Sequence, residues 1–316
     1  HFDEADYEHA SHLYEDACES YERAFGEASV RLATTYLALG VVHLKAGETT
    51  KAEARINRAA RILEKTESGL SIGILGMLAE KYGKANHWKV KEKLYEKALE
   101  ILKAKYGADN PAVGNILMEL AIIADFRRVD NEKATDLYRG AVRAFSRSLG
   151  PEDLSTAVAK HLFAQFQHRS RNFGAAEGLY KQALTTVERT VGKDHEKAQE
   201  IRLQLAGLHC DQGSYLSAIQ LYERDLAIIE DQSDEPTIKM ADLLSDLGTA
   251  YCEAGQYQKA QKVLEHALQI KVRKATDEEN QAGVMMNLAN VHAELAQYDQ
   301  AERLLQEALR MFREEF

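Results

Sequence analysis

Residues 240–270 read MADLLSDLGTAYCEAGQYQKAQKVLEHALQI. Met240, Leu243, Leu244, Leu247 and Tyr251 recur at the three-and-four spacing of one helical face. After a break at residues 253–257, Ala260, Val263, Leu264, Ala267, Leu268 and Ile270 do the same. Gly255 stands in the break where a helix can stop, because glycine enters a left-handed turn without a Cβ clash. The stretch therefore predicts two amphipathic helices folded back on each other. Gly248, inside the first, predicts that they approach closely, since a large side chain there would hold the pair apart.

The unit recurs along all 316 residues. Aligning Ala10, Ala52, Lys91, Ala134, Ala176, Ala218, Ala260 and Ala301 gives steps of 42, 39, 43, 42, 42, 42 and 41. Four residues after each anchor stands a bulky side chain such as Tyr14, Ile56, Tyr180 or Leu264. Three further on stands alanine, with Asp225 the exception. Upstream, Leu39-Gly40, Leu78-Ala79, Leu120-Ala121, Phe163-Ala164, Leu205-Ala206, Leu247-Gly248 and Leu288-Ala289 mark the first helices. Second helices are predicted to end at Phe25-Gly26, Tyr106-Gly107, Leu149-Gly150 and Val191-Gly192, and Pro111, Pro151 and Pro236 all fall between units. One unit cannot bury its apolar face alone, so neighbours must stack into an all-α solenoid of antiparallel helix pairs. Residues 1–25 read as the second helix of a truncated repeat and 29–316 as seven helix pairs of one solenoid. The chain opens inside a repeat without Met, so flanking domains of the natural protein are expected to lie outside this sequence.

The composition, 45% hydrophobic and 28% charged, excludes disorder. No run approaches the roughly 18 apolar residues of a membrane span, so no membrane insertion is expected. A net charge of −10 argues against nucleic acid as the partner, because phosphate binders carry a basic face. Cys18, Cys210 and Cys252 form an odd, sparse set, which points to a reducing, cytoplasmic setting. Cys210 and Cys252 occupy equivalent places in successive repeats, too far apart for a disulfide, and free thiols are expected.

The Leu-Gly, Tyr, Ala, bulky and Ala pattern resembles the tetratricopeptide repeat, whose common period is about 34 residues. The longer unit, with turns such as Val191-Gly192-Lys193-Asp194-His195, is similar to the repeats of kinesin light chains, nephrocystin-type proteins and many bacterial sensor proteins. The resemblance implies a right-handed superhelix whose first helices line a concave face. On that face it places apolar Leu37, Val41, Met77, Met118, Ile122 and Phe126, then His161, Gln165, His168 and Arg169. Asp211, Asp242, Asp246, Glu253, Asn287 and Asn290 follow toward the C-terminus. The cargo groove of kinesin light chains resembles a ladder of asparagines and basic residues that bind acidic, tryptophan-containing peptides. Here only Asn287 keeps that place, with Ala38, Met77, Glu119, Leu162, Gln204 and Asp246 at the others, which argues against acidic cargo.

No glycine-rich phosphate loop, nucleophile elbow or paired-Cys motif is present, so neither an enzyme nor a cofactor is expected. His9 and His12 could share a helix face, but zinc needs three or four protein ligands, and no metal site is expected. His43, His209 and His292 share a repeat position with Tyr82 and Tyr251, which suits a half-buried ring with a polar tip. Trp88 is placed in a turn between helices as a packing residue. The sequence thus predicts a non-catalytic scaffold that binds another protein or peptide segment, basic or amphipathic, in its groove. The alternative is a sensory domain that closes on a small molecule or short peptide and controls an attached effector. The apolar side of the last helix, with Leu305 and Leu309, adds self-association as a further expectation.

Overall fold

The computed structural model describes residues 4–27, 29–65, 88–127, 131–232, 235–274 and 278–314. Among them are fourteen helices and no strand. In chain order these are α1 (Glu4–Phe25), α2 (Val30–Lys45), α3 (Thr49–Lys65), α4 (Trp88–Tyr106), α5 (Pro111–Arg127), α6 (Asn131–Ser148) and α7 (Leu154–Arg169). There follow α8 (Phe173–Val191), α9 (Glu196–Asp211), α10 (Tyr215–Gln232), α11 (Ile238–Glu253), α12 (Tyr257–Arg273), α13 (Glu278–Glu294) and α14 (Tyr298–Glu314). The expected first helix of the second full pair, with Met77, Leu78-Ala79 and Tyr82, lies outside the described residues. Trp88 is the first residue of α4 rather than part of a turn, and it is half-buried against the core.

Helices pack chiefly on their sequence neighbours, and the chain forms two compact units, His1–Ala159 and Lys160–Phe316. In the first, Leu32, Leu39, Leu63, Leu94 and Val113 are sealed from water. In the second, Leu243, Leu247, Leu264, Ile270 and Val284 play that part. Each such aliphatic side chain contributes roughly 1.5–3 kcal/mol. The repeat's small residues sit where helices meet: Ala52, Ala134, Ala176, Ala218 and Ala260 all have 0% exposure. A Cβ on Gly248 would lie 2.5 Å from Leu264 Cγ, and one on Gly40 2.9 Å from Ile56 Cγ1, so a side chain at either place would force its neighbour to move.

Five intra-pair turns close in one way. The carbonyls of His43, Gln167, His209, Tyr251 and His292 each accept from the N–H five residues on, at 2.8–2.9 Å. A residue at positive φ intervenes, namely Gly47, Arg171, Gly213, Gly255 and Ala296. This double closure satisfies carbonyls that a helix end otherwise orphans. The histidines add a side-chain bond across the turn: His43 Nδ1 meets Glu48 Oε2 at 2.7 Å and His292 Nδ1 meets Gln297 Oε1 at 2.5 Å. Between pairs, Asn110 Oδ1 accepts from Ala112 N–H ahead of Pro111's helix, and Thr237 Oγ1 accepts from Met240 N–H.

The two departures from the small-residue pattern have internal partners. Lys91 reaches Glu119 Oε2 at 3.1 Å and lies over the rings of Trp88 and Tyr95. Asp225 is bonded to Arg202 of the preceding first helix. The three cysteines are free thiols.

Candidate partner-binding surface

In the first unit, α5 carries Met118, Ile122 and Phe126 four residues apart, hence on one helix face. Met118 packs on the core, whereas Ile122 is 37% and Phe126 67% exposed. The Phe126 ring lies tilted against Trp88, 4.9 Å between centroids, which braces an apolar surface that faces water. Glu92 ties Arg127 and Lys133 beside it, each at 2.7 Å. Val41 is half-buried against the core. Leu37, expected on the groove, is 1% exposed and belongs to the core. An apolar side chain at the border of the groove face is drawn between the neighbouring helices, where a polar one would stay in water.

In the second unit His161 is also withdrawn, at 0% exposure. Its Nε2 faces Gln204 Oε1 and Gln165 Nε2, both at 3.2 Å, and the Tyr180 hydroxyl donates to the same Gln204 oxygen. Burial lowers the His161 pKa, so the ring is held neutral. It therefore fixes Gln204 and Gln165 rather than offering itself to a partner. His168 Nε2 meets Asp211 Oδ2 at 2.8 Å, and Arg169 is exposed one residue further on.

Asp242, Asp246, Glu253, Asn290 and Glu294 are exposed, and Asn287 is half-buried. Asp242 is held by the buried Lys271 ammonium at 2.6 Å. That side chain is an internal partner which the sequence reading missed, because Lys271 lies on the opposite helix of the pair. Among the described residues no cation is bonded to Asp246, and Lys271 acts on it only from a distance. Partial desolvation, with the Asp242 carboxylate beside it, pushes its carboxyl up to about 6, even though water reaches it. The Tyr215 hydroxyl lies beside Glu253 and that of Tyr257 beside Glu294; desolvation and then Glu253 hold the Tyr215 phenol above the usual tyrosine pKa, and Glu294 does the same for Tyr257. The tyrosines that open α10 and α12 thus each stand beside the carboxylate that ends the next first helix. The recurrence of Tyr215, Tyr257 and Tyr298 at repeat spacing was the available signal. Asn287 Nδ2 donates to Thr249 Oγ1 at 3.2 Å. Among the described residues no three His, Cys, Asp or Glu side chains converge as a metal would require, and no helix is long and apolar enough to cross a membrane. His209 Nδ1 bonds Gln212, while Cys210 packs on the core, so the two do not form a nucleophile pair.

Tetratricopeptide repeat families match residues 156–196, 197–271 and 239–314. The chain belongs to the tetratricopeptide-repeat family. A comparison with curated protein sequences finds no match. Among solved structures, this tetratricopeptide-repeat chain is similar to Podosopora anserina putative kinesin light chain nearly identical TPR-like repeats, at 20% identity and a TM-score of 0.58. That match covers 65% of this chain and 98% of the other. BtubC (BKLC) from P. vanneervenii is 23% identical with a TM-score of 0.56, over 77% of this chain and 92% of that one. A signal transduction ATPase with a tetratricopeptide repeat sensor from Pyrococcus horikoshii gives 15% and 0.63, over 96% of this chain and 47% of that one. At these identities the likenesses show the fold, a helical solenoid of the kind found in kinesin light chain-like repeats.

Proposed function

We propose that this tetratricopeptide-repeat protein is a non-catalytic, cytoplasmic scaffold whose second unit binds a cationic or amphipathic segment of another protein. Protein binding in general follows from the family; the charge of the partner rests on one observation. Asp246 and Glu253 stand on α11 and Glu294 on the next first helix, α13; all three are exposed, and among the described residues none of them forms an ion pair with Lys or Arg. The tyrosine hydroxyls beside two of the carboxylates are neutral and leave that charge uncancelled. Such a surface attracts a cation and raises the association rate in a salt-dependent way. In the first unit, Ile122 and Phe126 supply an apolar anchor for the same class of segment.

The test is fluorescence anisotropy with a labelled lysine-rich amphipathic peptide and its glutamate-substituted counterpart. The lysine peptide should bind more tightly and weaken with salt. The Asp246→Asn, Glu253→Gln, Glu294→Gln variant should lose that preference while its helicity is unchanged. Asp242 is left alone, because it is bonded to buried Lys271 and its loss would disturb the helix pair. Equal affinity for both peptides removes this reading. In that case the sensory alternative is tested by a ligand-dependent change in solution radius.

A further inference from the structure

We propose that the cavity walled by His168, Arg169, Arg171, Phe173 and Asp211 is an anion-binding subsite, which takes a carboxylate or phosphate group carried on an apolar stem. The cavity is about 300 Å³, the size of one large side chain, and lies wholly within the second unit. The end of α7, the turn after it, the start of α8 and the end of α9 build it.

Two features set this turn apart from its equivalents. The left-handed position is held by Gly47, Gly213 and Gly255 in three repeats and by Ala296 in a fourth, none of which has a side chain able to contact a ligand. Here it is Arg171, at φ 59°. A long side chain in that conformation is strained, and glycine would relieve the strain. Yet this is the turn whose residue lines a cavity, and the Arg171 guanidinium makes no hydrogen bond or ion pair among the described residues. Strain at a site where a cationic group faces a cavity points to use of that group.

The chemistry of the walls selects the ligand. Arg171 brings its guanidinium to a wall that also holds Arg169 and Asp211, and the Asp211 Oδ2 already faces His168 Nε2 at 2.8 Å. Guanidinium forks match the geometry of carboxylate and phosphate oxygens. Phe173 lies with its ring edge-on to His168, at 5.9 Å between centroids, and offers an apolar wall for the stem. An aromatic or aliphatic acid, free or at the end of a peptide side chain, meets both requirements. None of these groups belongs to the Asp246, Glu253 and Glu294 set, so this subsite stands or falls separately from the cationic-segment reading.

The whole chain is titrated with phenyl phosphate, phenylacetate and inorganic phosphate, and the His168 ring resonances are followed by NMR. The first two should saturate, shift those resonances and bind more tightly than inorganic phosphate, for want of a stem. Whichever of phosphate or carboxylate binds better names the natural group. Arg171→Gly should weaken binding by about tenfold or more, the effect of one charge-assisted contact. Because glycine suits the turn, that variant should melt at a higher temperature than the parent. Arg169→Gln should weaken binding in the same direction. Unchanged affinity in Arg171→Gly, or no saturable binding of any of the three anions to the parent chain, overturns the subsite.

Discussion

Arg202 Nε lies 2.6 Å from Asp225 Oδ1, and the two side chains are 0% and 1% exposed. This is the one place in the second unit where the repeat's inner alanine is replaced, and the ion pair fills it. Elsewhere the same two positions hold Leu244 with Ala267 and Met285 with Ala308. Glu188 Oε1 takes the other arm of Arg202 at 2.8 Å and also Arg224 at 2.9 Å, so the pair is part of a four-residue network.

Removing Asp225 takes away the buried counter-charge of Arg202 and leaves it only the more exposed Glu188, at a cost of up to about 3–5 kcal/mol. Asp225→Ala should therefore unfold at much lower urea concentration than the parent chain. Arg202→Leu combined with Asp225→Ala restores the residues of the neighbouring repeats and should recover most of that loss. Equilibrium denaturation of the three proteins checks it, and an additive pair of losses would show that the network is not the cause.

Glycines of one helix class should respond in opposite directions to alanine. Gly248 faces Leu264 with no room for a Cβ, and Gly248→Ala should cost roughly 1–3 kcal/mol through repacking. Gly283, inside α13, has open space at its Cβ position, and Gly283→Ala should stabilise by about 0.5–1 kcal/mol. Thermal melts of the two variants beside the parent chain separate these effects by sign.

The fold was legible because the repeat constrains residues that face each other across one helix pair, where spacing alone carries the signal. Gly40, Gly248 and the turn glycines are cases in which size or φ dictates the residue. The surface was less legible, since the period gives an angle around a helix but not what flanks that angle. Leu37 and His161 lie on the face that the pattern assigns to the groove, yet both are buried by neighbours. Asp242 is exposed as expected, but Lys271 compensates it from 29 residues away. Lys271 could be found only by superimposing a second helix on the first. Arg171 was hidden in a different way: the period marks where a left-handed turn falls but not what the side chain there can reach.

The apolar stripe of the first unit gives a prediction independent of charge. Phe126→Ala removes a ring that is mostly in water, so stability should change by less than about 1 kcal/mol, the share of its contact with Trp88. Trp88 emission should nevertheless shift to the red as its neighbour is lost. Affinity for an amphipathic peptide should fall by tenfold or more if Phe126 is an anchor, an effect of the size seen for aromatic hot spots. A peptide that binds both proteins alike would assign the stripe to packing.

Asp246 links the acidic surface to pH. Its carboxyl is raised from 3.8 to about 6, by desolvation first and by Asp242 second, with Lys271 opposing. The folded chain therefore holds this proton more tightly than the unfolded chain does. The stabilising contribution is complete below about pH 4 and is lost as pH rises through about 6, where the ionised group repels Asp242. Asp246→Asn should match the parent chain near pH 4 and exceed it at pH 7. Water reaches the side chain, so screening limits the gain to roughly 0.5–1 kcal/mol. Binding follows the opposite course: a lysine-rich peptide needs the ionised form, so its affinity for the parent chain should rise between pH 5 and pH 7. In Asp246→Asn that rise should be smaller. Urea titrations and anisotropy at the same pH values test both limbs, and a parent chain whose affinity is flat across the interval would place peptide binding away from Asp246.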